Sequence, residues 1–318
     1  MSNGKINGSS PKKAFREDDY RVKRTKYKTS VGDKIFVVCN VIFMFLFVLI
    51  TVYPIINTFA ISFNDGIDAV KGGIHFFPRK FSTNNYRTVF GMRNLTTGLI
   101  ISVLRTVLGT VLGVAASAIL AFLVSRKRFL LKKPLTIFWV VTMYVNGGMI
   151  PVLLLYTSLH LTSTFWVYVI PGMVGAFNML VMRTFMEGLP DSLEEAAQID
   201  GAGYATIFLK IITPLCKPMY ATVALFIAVG QWNSWFDTML YNRMSSQYTT
   251  LQYELMKLLS SVTSQSSKAD PNSTEGANLT PVAVRSAATM VTMAPIVCLY
   301  PFLQKYFVAG LTIGGVKE

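Results

Sequence analysis

Six apolar stretches, each long enough to cross a hydrocarbon layer of about 30 Å as a helix, run through this sequence at residues 35–60, 98–124, 135–155, 164–182, 219–236 and 286–303. Five of them contain no Asp, Glu, Lys or Arg. With charged residues at 14% and a mean hydropathy of +0.45, the chain is too apolar for a water-soluble domain and takes a bilayer as its solvent. Backbone polar groups must then pair within each segment, so the expected fold class is an all-α integral membrane protein with six transmembrane helices.

The formal charge of +14 would suggest nucleic acid on a soluble surface, but ten of the thirty Lys and Arg residues precede the first stretch. Membrane lipid, not nucleic acid, is therefore the expected partner, and the N-terminus is expected in the cytoplasm. Summed over six spans, the inside segments hold 20 basic residues, the outside segments 9 and a span 1. Lys71, Arg79, Lys80, Arg87 and Arg93 oppose this orientation, and the dominance of the N-terminal flank outweighs them. An even number of spans returns the C-terminus inside. The first stretch begins after a 34-residue tail, is too long for a signal-peptide core and has no small-residue cleavage site behind it, so it reads as a retained span. Residues 1–34 read as a disordered basic tail, or as a topology determinant alone.

Cys39, Cys216 and Cys298 are scattered and odd in number, which points to packing rather than to a disulfide framework or a metal cluster. Turn-forming pairs in 63–95 predict short interfacial pieces. In the loop 241–285, Leu251, Leu255, Leu258 and Leu259 are spaced for an amphipathic helix. A delivery protein could dock there, and a helix lying on the membrane interface fits the same composition. Ser260 to Thr280 reads as mobile, and the triplets at Asn272 and Asn278 carry no weight.

The segment 188–217 reads as two short helices meeting at glycine. Pro190 stops the preceding helix, Ser192 and Glu195 have capping-box spacing, and a helix is expected from Leu193. Gly201 can take the left-handed backbone that ends it. The second helix places Ile207, Phe208, Ile211 and Ile212 on one apolar side, with Pro214 and Pro218 ending it. Capping boxes alone are common, but the whole spacing is not: Glu195-Ala196-Ala197, three residues, Gly201, nine residues, Ile211, one residue, then Thr213-Pro214. This resembles the loop that defines the permease subunits of binding-protein-dependent ATP-binding-cassette importers, with Thr213 where that family usually has Leu. Residues from about 35 to 317 look like the carbohydrate branch, and Gly147-Gly148-Met149-Ile150-Pro151 with Asn178-Met179 look like its oligosaccharide importers.

The resemblance implies a type I importer fold, with 1–34 as tail and 35–318 as the permease domain. It makes the first short helix a coupling helix for an ATPase subunit, through Leu193, Glu194, Glu195, Ala196, Ala197, Asp200 and Gly201. Small alanines would permit close approach and the carboxylates would meet basic or amide groups. It also implies a second homologous permease, two ATPase subunits, an extracytoplasmic solute-binding protein and an oligosaccharide substrate. The chain has no phosphate-cradling G-x-x-x-x-G-K-[ST] motif, so ATP and magnesium belong to the partner and no cofactor is expected here. Neither His75 nor His160 has an acid or nucleophile near it in sequence, so no catalytic site is expected.

Sugars need hydrogen-bond partners for hydroxyls and aromatic faces for C–H surfaces. Expected pathway residues are Gln231, Trp232, Asn233 and Trp235 in span five, Tyr144 and Asn146 in span three and Asn178 in span four. Arg105, the one ionisable residue deep in a span, is expected to face the pathway or a partner helix, with snorkelling as the alternative. Rival readings are a secondary transporter, which would need coupling-ion ligands, a membrane enzyme, and a permease for an amino acid or phosphate.

Overall fold

The computed structural model describes residues 30–265 and 280–313. The basic segment before residue 30, most of the Ser-rich stretch, Asn272, Asn278 and residues 314–318 lie outside the described residues. Those described are helical throughout apart from turns and one isolated bridge between Asn64 and Phe81. Two compact units divide the chain, 1–52 and 53–318. The described part of the first is the opening of α1 (Val31–Ser62), a continuous apolar helix in which every residue from 31 to 52 is exposed. Its backbone is satisfied internally, which suits hydrocarbon.

The second unit is organised on α4 (Arg93–Ser125), a 33-residue helix. Before it come α2 (Gly66–Val70) and α3 (Asn84–Gly91), the short pieces expected of the first outer loop. They are pinned by polar side chains: Asp65 caps α2 by accepting from the N–H groups of Ile67 and Asp68, and Asn85 donates to the carbonyls of Ser62 and Asn64. Arg79 pairs with Asp68 at 3.0 Å, so one of the cations that opposed the expected orientation is locally neutralised.

After α4 come α5 (Lys132–Tyr144) and α6 (Met149–Ser158), bent 118° from one another. The expected third span is thus broken. Gly148 takes φ +86° and its N–H donates to Asn146 Oδ1, a turn that a side chain at residue 148 would strain. The expected fourth span is not one helix either. A 3₁₀ turn at Phe165–Tyr168 gives way to non-helical chain before α7 (Ala176–Glu187). Pro171 removes a backbone donor there, and Gly172 and Gly175 add freedom. Next are α8 (Ser192–Ile199) and α9 (Tyr204–Thr206), a π-helical segment at Ile207–Ile212, and α10 (Thr213–Leu215). Pro214 lies in the first turn of α10 rather than ending the helix, and the chain turns at Cys216. The stretch 204–215 meets α11 (Lys217–Asn233) at 81°. The chain then breaks at Ser234 before α12 (Phe236–Tyr241), continuing with α13 (Leu251–Gln265) and α14 (Pro281–Ile313).

By length and apolarity, three described helices can each cross a membrane, or up to five crossings result if each bent pair counts as one. Two apolar clusters flank the middle of α4. Toward its Ser125 end, Ala121 and Phe122 pack with Met179, Met182, Met186, Ala197, Ile207 and Ile212, so the π segment turns the expected apolar side inward. Toward the Arg93 end, Leu95 packs with Trp232, Leu251, Leu255 and Ala287. Leu251 N–H donates to Ser102 Oγ at 2.9 Å. The apolar face of α13 is therefore packed on α4 and α14.

Candidate functional site

Two sites occupy different stretches of α4. At its Ser125 end stands the loop whose spacing drew attention in the sequence. Helix α8 begins at Ser192, one residue earlier than expected, with Asp191 at the N-cap and no side-chain cap. The expected capping box is absent because Ser192 is already the first helical residue, out of register to serve the orphan N–H groups. Asp191 instead pairs with Lys127. The C-terminus forms as expected: Gly201 has φ +78°, its N–H donates to Gln198 O, and Ala202 N–H donates to Ala197 O. This is the double closure of a Schellman motif.

The helix has two faces. Inward, Ala197 is buried in the apolar cluster and Glu194 pairs with Arg126 at 2.5 Å. Outward, Leu193, Glu195, Ala196, Asp200 and Gly201 are exposed, and Ile199, which sequence reasoning passed over, is 86% exposed. Further contacts make the inner face a clasp. Arg126 donates to Met186 O, Arg128 donates to Gln198 Oε1 at 3.2 Å, and Glu187 pairs with Lys132 at 2.7 Å and Arg183 at 3.1 Å. The hydrogen bond from Lys127 holds Asp191 below its ordinary carboxylate range. The same contact raises Lys127.

Farther along α4, a cavity of about 420 Å³ lies between α4, α6, the 3₁₀ turn, α7, α11 and α12. Arg105 lines it yet is only 2% exposed. Its Nε and Nη2 donate to Gln231 Oε1 at 3.0 and 2.8 Å. Nη2 also donates to Asp237 Oδ2 at 2.5 Å, and Nη1 to Asp237 Oδ1 at 3.2 Å and Ser234 O at 3.4 Å. The guanidinium lies 4.4 Å from the centre of the Tyr168 ring. Gln231 completes the network by donating to Tyr168 O at 3.1 Å. Gly109 on α4 makes this approach possible, since a Cβ there would lie 2.9 Å from Gln231 Nε2. Arg105 thus has its polar partners and does not snorkel.

Of the expected pathway residues, the cavity brings together Asn178 and Gln231. Tyr144 and Asn146 stand at the break between α5 and α6, Tyr144 being 83% exposed. Trp232 faces away, buried, its Nε1 donating to Thr292 O at 3.0 Å. Asn233 accepts from Gln252 Nε2, and Trp235 packs edge-on against Phe236. Tyr156, Tyr168, Asp237 and Tyr241 were missed. For Asp237 a signal existed: an intramembrane arginine demands a counter-charge, and this acid sits at the edge of the expected fifth span. Among the described residues no group of His, Cys, Asp and Glu could hold a metal ion.

Comparison with known proteins defines the class. No family model matches the chain. It is 34% identical over 276 residues to the polygalacturonan/rhamnogalacturonan transport system permease protein YtcP of Bacillus subtilis, covering 86% of this chain and 96% of that protein. It is 32% identical over 295 residues to protein LplC of the same organism, covering 92% and 98%. Among solved structures, a bacterial ABC transporter involved in the import of the acidic polysaccharide alginate matches with TM-score 0.79 and 27% identity, over 88% of this chain and 99% of that one. The chain belongs to the permease subunits of carbohydrate ATP-binding-cassette transport systems.

Proposed function

We propose that this chain is one of two homologous permeases in an importer that receives an oligosaccharide from an extracytoplasmic binding protein and moves it on ATP hydrolysis by two partner ATPase subunits. It crosses the membrane six times, with both termini in the cytoplasm. The two bent helix pairs each serve as one broken crossing, and 165–187 makes another. ATP and magnesium stay on the ATPase subunits, and this chain supplies no catalytic residue. Helix α8 is the coupling helix. Leu193, Glu195, Ala196, Ile199 and Asp200 face the ATPase, while Glu194 and Ala197 fasten the helix to the membrane domain.

The observation that carries this reading is the division of α8 into an exposed, partly apolar face and an inner face fixed by charge and packing. An exposed isoleucine beside carboxylates suits a protein groove better than water. The path runs along the cavity that Gln231 and Asn178 line. The test is Gly201→Val in the complete transporter. Left-handed backbone at a β-branched residue is strained, so uptake should fall by roughly tenfold while ATP hydrolysis continues. Unchanged uptake would sink the lever. Co-purification from native membrane should bring down an ATPase and a second permease.

A further inference from the structure

We infer that the cavity beside Arg105 is a subsite for an uncharged sugar ring, read by Tyr156, Tyr241, Asn178 and Ser234, with Arg105 a positioning residue that holds no substrate charge. The inference rests on the carbohydrate reading above and names the class of ring that this chain handles.

A guanidinium has five N–H donors, and the five contacts of Arg105 to Gln231, Asp237 and Ser234 O employ them all. Asp237 Oδ1 also accepts from Thr238 N–H at 2.8 Å. No Lys, Asp, Glu or second Arg accompanies this pair among the residues lining the cavity, so the site is net neutral. A uronate carboxylate entering it would lose water and meet no free cation, a costly exchange.

The groups left over have the opposite character. Tyr156, Tyr241, Ser234 and Asn178 line the same space, and their hydroxyls and amide make no side-chain hydrogen bond to the described residues. The rings of Tyr156 and Tyr241 lie 5.1 Å apart at 52°, backed by the apolar cluster of Ile101, Val167 and Val169, and put aromatic residues on the cavity wall. Neutral donors and acceptors next to aromatic faces, with the charge locked behind them, suit a ring of hydroxyls. The volume falls within the range of about 300–1,000 Å³ typical of small-molecule pockets. The network around Arg105 fixes Gln231, Ser234 and Tyr168 as the wall of this subsite.

The test uses the complete transporter in proteoliposomes, with labelled neutral xylo-, cello- and galacto-oligosaccharides and an oligogalacturonate of matched length, at saturating solute and binding protein. Wild type should carry a neutral saccharide faster than the uronate. Tyr241→Ala should lower neutral uptake about tenfold, and Asn178→Ala about threefold, at equal amounts of assembled complex, with Tyr241→Phe largely restoring the ring contribution. Asp237→Asn releases the Arg105 charge and should raise the uronate-to-neutral uptake ratio about fivefold or more, a change that mere loss of structure would not produce. Preference for the uronate by wild type overturns the inference and leaves the importer reading intact. Unchanged uptake in both Tyr241→Ala and Asn178→Ala overturns it as well. If no saccharide of either kind crosses, the carbohydrate reading fails first.

Discussion

Arg105 and Arg126 sit twenty-one positions apart, roughly 30 Å along the axis of α4, and use the same guanidinium in opposite ways. Arg105 is closed in, with its partners drawn from α11, the break after it and α12. Arg126 stands at the rim of the helix, 12% exposed against a Glu194 that is 16% exposed, beside a Lys127–Asp191 pair that water reaches freely. Asp237 is itself 22% exposed, so the contrast lies in the cation: a guanidinium that is 2% exposed needs every donor met within the protein, and its network becomes scaffold. The Lys127–Asp191 pair, which water reaches, can open and re-form at small cost.

Removing the buried cation should break this contrast with the largest effect. Arg105→Met leaves Asp237 and Gln231 without their partner and should destabilise the protein by about 3–5 kcal/mol, seen as a sharp fall in unfolding temperature in detergent. Adding Asp237→Leu should recover much of the loss, because the stranded charge goes too. A single variant as stable as wild type would mean that water reaches this site.

Next in size is the seam where α13 meets α4. A Cβ on Gly98 would lie 3.0 Å from Leu251 N and Thr250 C, backbone atoms that cannot swing aside. Gly98→Val should cost about 1–3 kcal/mol and raise deuterium uptake across 250–260 selectively. Uptake spread evenly over the second unit would instead point to global loosening.

The joint at the other end should yield less in stability and more in function. Arg126→Ala should cost about 1–2 kcal/mol, yet lower the sugar moved per ATP by a larger factor than the unfolding temperature suggests. Exchanging the charges, Arg126→Glu with Glu194→Arg, should restore the ratio. If the exchange leaves coupling as poor as the single change, Arg126 acts through its contacts with Met186 O and the Phe122 ring rather than through Glu194.

The smallest effect is one of pH. Asp191 is lowered, so its share of stability is present above its ordinary value of 3.8 and lost as pH falls through the folded value. Lys127 is raised, so its share is present below 10.5 and lost as pH rises through the folded value. Between those limits the pair contributes in full. Coupling measured from about pH 5 to pH 9 should therefore show no step from this pair, and a Lys127→Ala variant should give a parallel profile.

Much of the fold was legible in apolar run length, which placed α1 and α4 within about five residues at each end, while α14 runs on to Ile313, well past the expected end at residue 303. Run length counts hydrophobicity and is blind to backbone breaks, so the turn at Gly147-Gly148 and the Pro171 interruption were folded into continuous spans. The loop 188–217 was legible because Gly201 imposes a conformation locally. The Ser192 register was not, since Lys127 takes the carboxylate of the residue that caps α8, and that choice is tertiary. In the cavity, the need of Arg105 for a polar partner could be read, but the partners lie 126 to 132 positions away, and one sequence holds no record of such pairing. Trp232 failed for a related reason: an aromatic in a span reads alike whether it faces a path or, through Nε1, the carbonyl of Thr292.

The π-helical turn at Ile207–Ile212 carries a consequence for how such loops evolve. A π turn holds one residue more than the α turn it replaces. The surplus sets the angular phase between Tyr204–Thr206 before it and Thr213–Leu215 after it. Losing one residue there would leave a regular helix and an intact apolar stripe. It would also turn Tyr204–Thr206 by roughly 100° about the axis of that segment relative to Thr213–Leu215. Single-residue indels in this turn would thus act as a phase dial, re-aiming the point at which the chain leaves the Gly201 turn while the helices beyond it keep their own packing.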